Sequence, residues 1–140
     1  MASISIFIDT SWFKALLDSK DDFHSASISQ MERLNSKNYF LITTNFVVDE
    51  TLTLIRARAG LPLALKFGDT LLEMSKILKL VRVLEIDEKE AWGWFIKDWS
   101  KLSFTDCTSF AVMKRLGLVD AATFDKHFAK AGFNIFPEKN

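Results

Sequence analysis

The stretch Ile4-Ser5-Ile6-Phe7-Ile8-Asp9-Thr10-Ser11-Trp12 decides how this chain is read. Residues of high β preference run straight into an acid and two hydroxyls. A helical pattern follows, with Thr10 or Ser11 as its cap and Trp12, Phe13, Ala15, Leu16 and Leu17 on it. An apolar run flanked at once by a helix reads as a buried central strand of an α/β sheet. Ligands of such sheets bind outside the carboxyl ends of the strands, which is where Asp9 falls.

Working outward, Phe23 to Asn35 reads as a second helix, with Ile28, Met31 and Leu34 on its apolar stripe. Tyr39-Phe40-Leu41-Ile42-Thr43 is a second buried strand. Thr44 or Asn45 then caps a long helix from Phe46 to Ala59 that stops at Gly60. Pro62 suits the start of a further helix running to about Leu78, with Leu65, Leu72 and Ile77 inward. Leu80 to Ile86 alternates as a third strand, and Asp87 caps a helix through Lys97. Beyond the loop Asp98 to Leu102, Ser103 or Thr105 opens a helix through Arg115, stopped by Gly117. Leu118 to Phe124 is a fourth strand, Asp125 to Ala131 a helical turn, and Phe133 to Phe136 a last strand before Pro137. Strands alternating with helices over the whole length predict a parallel sheet covered on both faces.

A chain of 140 residues is of ordinary single-domain size. With only 5 Gly and 2 Pro it contains no linker or low-complexity segment, so residues 1–140 read as one domain. Its 18 basic and 18 acidic residues cancel, so any nucleic-acid contact must come from a local patch. The candidates are Arg56, Arg58, Lys97, Lys101 and Lys126, with Trp94 and Trp99 able to stack on unpaired bases or to be buried. Cys107, the one cysteine, cannot form an intramolecular disulfide and suits a reducing compartment. No apolar run reaches the ~20 residues of a membrane span and no signal-peptide pattern opens the chain, so it reads as cytosolic.

Four acids hold comparable positions. Asp9 and Asp125 each end a strand, while Glu50 and Asp106 sit early in the helix after one. Each has a structural alternative. Asp9 and Asp125 can cap helices, Ser103-Phe104-Thr105-Asp106 is a serviceable capping box, and Glu50 can reach water along a helix edge. Taken together in a doubly wound sheet, however, all four meet at one edge. Carboxylates gathered in one pocket repel unless cations neutralise them, and hard oxygen ligands suit Mg²⁺ or Mn²⁺. Such metals activate water and stabilise in-line displacement at phosphorus, which is the logic of a metal-dependent nuclease.

The ordered set Phe7-Ile8-Asp9-Thr10-Ser11, Val47-Val48-Asp49-Glu50-Thr51, Ser103 to Met113 and Thr123-Phe124-Asp125-Lys126-His127-Phe128 resembles the PIN-domain ribonucleases. Within them it is similar to the VapC-type toxins of prokaryotic toxin–antitoxin pairs. The resemblance covers essentially the whole chain. It implies a three-layer α/β/α sandwich around a central, mostly parallel five-stranded sheet, metal-dependent cleavage of RNA, and frequent homodimers. It also raises the expectation of an antitoxin protein as partner. Residue by residue, the acid positions carry onto Asp9, Glu50, Asp106 and Asp125, as catalytic residues and metal ligands, with Thr10, Ser11 and Thr123 in support. His127 matches a position often His in the family and, like His24, reads as packing or loop support.

Other classes of protein also place acids at strand ends. A phospho-accepting receiver domain wants an acid pair after the first strand, and haloacid-dehalogenase-type phosphatases want an acid at Ser11; neither is present. The remaining alternative is a non-catalytic PIN-fold scaffold that binds RNA or protein, with the helices Phe46 to Ala59 and Pro62 to Leu78 forming a groove for a partner helix.

Overall fold

The structure is a computed structural model that describes residues 4–136. Its strands are β1 (Ser5–Ile8), β2 (Phe40–Thr44), β3 (Leu78–Val81), β4 (Asp120–Ala122) and β5 (Asn134–Phe136). They form one sheet in the order β3-β2-β1-β4-β5, with every pairing parallel. The opening apolar run is central, as its two buried faces require: Ile6 pairs opposite Leu41 on one side and Phe7 opposite Ala121 on the other.

The helices are α1 (Thr10–Leu17), α2 (His24–Ser36), α3 (Asn45–Ala59), α4 (Leu61–Glu73), α5 (Glu85–Phe95), α6 (Phe104–Leu116) and α7 (Lys126–Lys130). The chain steps outward from β1 to β3, then returns across the sheet to β4 and on to β5. Right-handed crossovers therefore put α1 to α4 on one face and α5 to α7 on the other. Side-chain packing follows the same division. Phe13 packs edge-on against Phe67 of α4 at 5.1 Å, whereas Phe110 of α6 packs against Phe128 of α7 at 5.0 Å. The reversal of strand order falls between β1 and β4, so the crevice at their carboxyl ends is the place such a sheet offers a ligand.

Several elements differ from the sequence reading. Leu65 and Leu72 are 62% and 75% exposed, not inward. The buried stripe of α4 is Ala64, Phe67, Leu71 and then Met74 at its end, a cleaner helical spacing than the leucines offered. Likewise Ser27, Met31 and Leu34 face inward on α2 while Ile28 is exposed. The third strand begins at Leu78, because α4 ends at Glu73, and it stops at Val81, so residues 82–86 are not strand. The fourth and fifth strands are shorter than expected, and Pro137 lies outside the described residues.

Asp87 does not cap α5 from outside. The helix starts at Glu85, and Asp87 reaches back from its third position to accept the Leu84 amide at 2.8 Å. Burial alone would push its carboxyl up, but the Arg115 guanidinium on α6, with its Nε 2.8 Å and Nη2 2.9 Å from the two oxygens, holds it below the usual carboxylate range. Removing one partner of a buried pair strands the other. Arg115→Ala is therefore expected to cost about 3 kcal/mol, at the low end for such pairs because Arg115 is partly exposed, and the urea unfolding midpoint measures it.

Candidate active site

At the carboxyl ends of β1 and β4, three hydroxyls hold two of the acids. Asp9 is 2% exposed and, of the three residues the sequence offered as cap, is the one that caps α1 in place of Thr10 or Ser11. Its Oδ2 accepts the Ser11 and Thr123 hydroxyls, each at 2.8 Å. Ser11 Oγ also accepts the Phe124 amide at 2.9 Å, and Thr123 Oγ1 accepts the Asp125 amide at 2.9 Å, so the two loops are tied through Asp9. Thr10 donates to Glu50 Oε2 at 2.9 Å and accepts Thr51 Oγ1 at 3.1 Å, which carries the tie across to α3. Ser11→Ala would leave the Phe124 amide without its acceptor. A loss of about 1–3 kcal/mol in a urea titration is the expected result.

Asp106 occupies the first turn of α6, where it accepts the Ser103 amide at 3.1 Å while its own amide donates to Ser103 Oγ at 3.0 Å. This is the capping box foreseen from the sequence. Burial, followed by the charges of Asp9 and Asp125 and a smaller push from Glu50, raises its carboxyl to about 8. Burial likewise raises Asp9 to about 6 against the opposing Thr123 and Ser11 hydrogen bonds. Glu50, half-buried, is raised by burial, against the Thr10 and Ser103 hydroxyls. Asp125 caps α7 and adds its charge to all three. The four predicted acids thus lie close enough to feel one another's charge, and burial with that mutual repulsion raises Asp9, Glu50 and Asp106.

His127 belongs to the same cluster. Its Nδ1 lies 2.8 Å from Asp125 Oδ1 and 3.7 Å from Asp106 Oδ2, yet this buried nitrogen has no hydrogen-bond partner among the described residues. Ligand atoms of Asp106, Asp125 and His127 all fall within 4.8 Å of one another, a spacing that suits a metal ion. A buried nitrogen without a partner, facing two carboxyl groups, fits a cation better than it fits a dry pocket. Sequence reasoning gave His127 no such place. Its signals were its place two residues after Asp125 and its match to a position often His in the family, both read as packing or loop support, and Thr51 stood in a matching motif without a role.

The remaining candidates fall around or away from this crevice. His24 Nδ1 meets the Ala15 carbonyl at 2.7 Å and ties α2 to α1. Trp94 and Trp99 are partly buried, 6.0 Å apart, and Trp94 packs on Phe110. Lys101 and Lys126 are exposed next to Ser100 and Asp125, whereas Lys97, also exposed, lies just past α5 over the Trp94 ring. Arg56 and Arg58 lie six and eight residues beyond Glu50 on α3, about 9 and 12 Å further along its axis, away from the acids. Cys107, beside Asp106, is buried and its thiol is pushed up to about 11, which leaves it inert. Next to Asp125 opens an apolar cleft of about 590 Å³ lined by Phe23, Gln30, Phe124 and Lys126, where Phe23 and Phe124 stack at 4.5 Å.

Comparison with known proteins bears on this arrangement. The 23S rRNA-specific endonuclease VapC20 of Mycobacterium tuberculosis is 36% identical over 136 residues, covering 95% of this chain and 99% of that protein. The crystal structure of VapC20, described as a sarcin–ricin loop cleaving toxin, superposes with a TM-score of 0.79 at 35% identity, over 91% of this chain and 95% of that one. FitAcB from Neisseria gonorrhoeae shares the fold, with a TM-score of 0.65 at 14% identity over 94% and 96% of the two chains. The PIN domain matches residues 6–134, and the chain belongs to the PIN-domain family.

Proposed function

We propose that this chain is a metal-dependent endoribonuclease and the toxin of a toxin–antitoxin pair. The observation that carries the reading is the convergence of Asp9, Glu50, Asp106 and Asp125, with Asp106 raised to about 8 by burial and its acidic neighbours. A bound Mg²⁺ or Mn²⁺ would supply an activated water and charge stabilisation at the scissile phosphate. Asp106 and Asp125 would hold the ion, with Asp9 and Glu50 completing the set. Ser11 and Thr123 fix the orientation of Asp9, and Thr10 that of Glu50. Lys101 and Lys126 would meet flanking phosphates, and the cleft at Phe23 and Phe124 has room for an unpaired base.

The names of the relatives point to 23S rRNA and its sarcin–ricin loop as the first substrate to try. Exposed Leu52, Leu61, Leu65 and Leu72 on α3 and α4 support an antitoxin helix as partner, and exposed Trp92, Phe95 and Ile96 on α5 support a homodimer. Among the described residues no helix is long and apolar enough to cross a membrane, and the reduced, buried Cys107 agrees with a cytoplasmic protein. Incubating an RNA that carries the sarcin–ricin loop with the protein in Mn²⁺, Mg²⁺ or EDTA tests the assignment. A discrete cut that needs metal is expected. No cut on that or any structured RNA, with folded protein and no metal bound, would favour the scaffold alternative.

A further inference from the structure

We propose that His127 is itself a metal ligand, through Nδ1, at the site formed with Asp106 and Asp125. The inference rests on the metal-centre reading above and adds a nitrogen donor to a set otherwise made of carboxylates. Its ground is the way the ring is held. His127 Nε2 lies 2.8 Å from the Ser100 carbonyl, an oxygen that can only accept, so Nε2 carries a proton and Nδ1 is the nitrogen left to bind a metal ion. Nδ1 of that ring presents a lone pair, and it presents it to Asp125 Oδ1 at 2.8 Å and Asp106 Oδ2 at 3.7 Å.

Lone pairs facing at this distance repel unless a proton or a metal ion lies among them; a shared proton calls for a well-aligned hydrogen bond, and none of acceptable geometry forms between Nδ1 and either acid, which favours the metal. A backbone carbonyl on the far ring nitrogen is the usual way a ligating imidazole is oriented. The loop that delivers that carbonyl is built for the purpose: Asp98 and Lys101 on either side of Ser100 hold φ of 57° and 62°, which costs energy in a non-glycine residue. Trp99 lies nearly parallel to the imidazole, at 11° with ring centroids 6.3 Å apart. An imidazole among carboxylates shifts preference from Mg²⁺ toward Mn²⁺ and Co²⁺.

The test is Mn²⁺ titrated into the full chain, with the bound ion counted by EPR and its neighbours read by electron spin-echo modulation. The expected result is ¹⁴N modulation on bound Mn²⁺ that becomes a ¹⁵N pattern when histidine alone is ¹⁵N-labelled. His24, the only other histidine, is committed to the Ala15 carbonyl. His127→Phe keeps a ring beside Trp99 and should lose the modulation, with Mn²⁺ bound at least about 10-fold more weakly. Stoichiometric Mn²⁺ with no histidine coupling in the native chain would overturn the proposal and leave the carboxylate site standing, since that measurement needs no variant. Failure to bind Mn²⁺ at all would overturn both.

Discussion

Replacing Asp9 by Asn is expected to lower RNA cleavage by roughly 10²–10⁴-fold while making the protein harder to unfold above pH 6. The two effects have one cause. Asp9 is buried, and its carboxyl is raised from 3.8 to about 6, mainly by that burial. The folded state therefore binds the Asp9 proton more tightly than the unfolded chain does. The stabilisation this gives is complete below pH 3.8 and lost as pH rises through 6, so at neutral pH the ionised Asp9 works against folding by about 3 kcal/mol. Asn has the same shape, can still accept the Ser11 and Thr123 hydroxyls and carries no charge. A gain of about 1–2 kcal/mol is expected, the remainder being lost to an imperfectly paired amide nitrogen.

The lost charge is what a metal ion and a developing phosphate transition state need. Several kcal/mol of missing transition-state stabilisation gives the stated range in rate, at about 1.4 kcal/mol per tenfold. Single-turnover cleavage with saturating Mn²⁺ and urea unfolding at pH 7.5 in EDTA measure the two sides. Equal cleavage by both proteins would point to a contaminating nuclease. Activity and stability lost together would mean that Asp9 serves as a helix cap and nothing more.

Both readings that the sequence offered for the acids hold in the molecule at once. Asp9 and Asp125 cap α1 and α7, Asp106 completes a capping box, and Asp106 still feels the charges of Asp9, Asp125 and Glu50. Local pattern cannot separate the two roles, because a strand end followed by a helix start asks for a capping acid whatever the chemistry. The strand order separates them: β1 and β4 are neighbours across the reversal of the sheet, and the acids after both strands therefore meet. The apolar run of β1 marked that strand as central and the alternation of elements marked the sheet as parallel, but neither states which strand lies beside β1.

What stayed hidden depends on contacts distant in the chain. Asp87 has its partner on Arg115, 28 residues on, and His127 is oriented by Ser100, 27 residues back. Neither spacing leaves a mark in a sequence. On α4, leucines lie on both faces, so hydrophobicity alone could not choose Phe67 over Leu65 as inward. The exposed set is the surface that a partner would cover, and a partner is absent from any pattern internal to one chain.

Without divalent metal, lowering the pH from 8 to 5 is expected to stabilise the protein by on the order of 3–5 kcal/mol. Asp106 carries most of it. Burial and the charges of Asp9 and Asp125 raise its carboxyl from 3.8 to about 8, so its contribution is full below 3.8 and is lost progressively as pH climbs toward 8. Asp9 adds to this between 3.8 and about 6, and Glu50 acts in the same direction. Asp87 has the opposite sign, because its carboxyl is lowered: its stabilisation is present above 3.8 and is lost only as pH falls below that, outside this window. Mn²⁺ should flatten the profile. At pH 8 Asp9 is ionised and Asp106 is at the middle of its titration, so metal displaces few protons, and at a hundred times its dissociation constant it adds about 2.7 kcal/mol. At pH 5 protons compete for the same oxygens and the gain shrinks. Urea unfolding at pH 5, 6, 7 and 8, in EDTA and in Mn²⁺, measures both effects. A profile that is flat or falls on acidification in EDTA, with no stabilisation by Mn²⁺ at pH 8, would mean that the carboxylates do not share the crevice as one charged cluster.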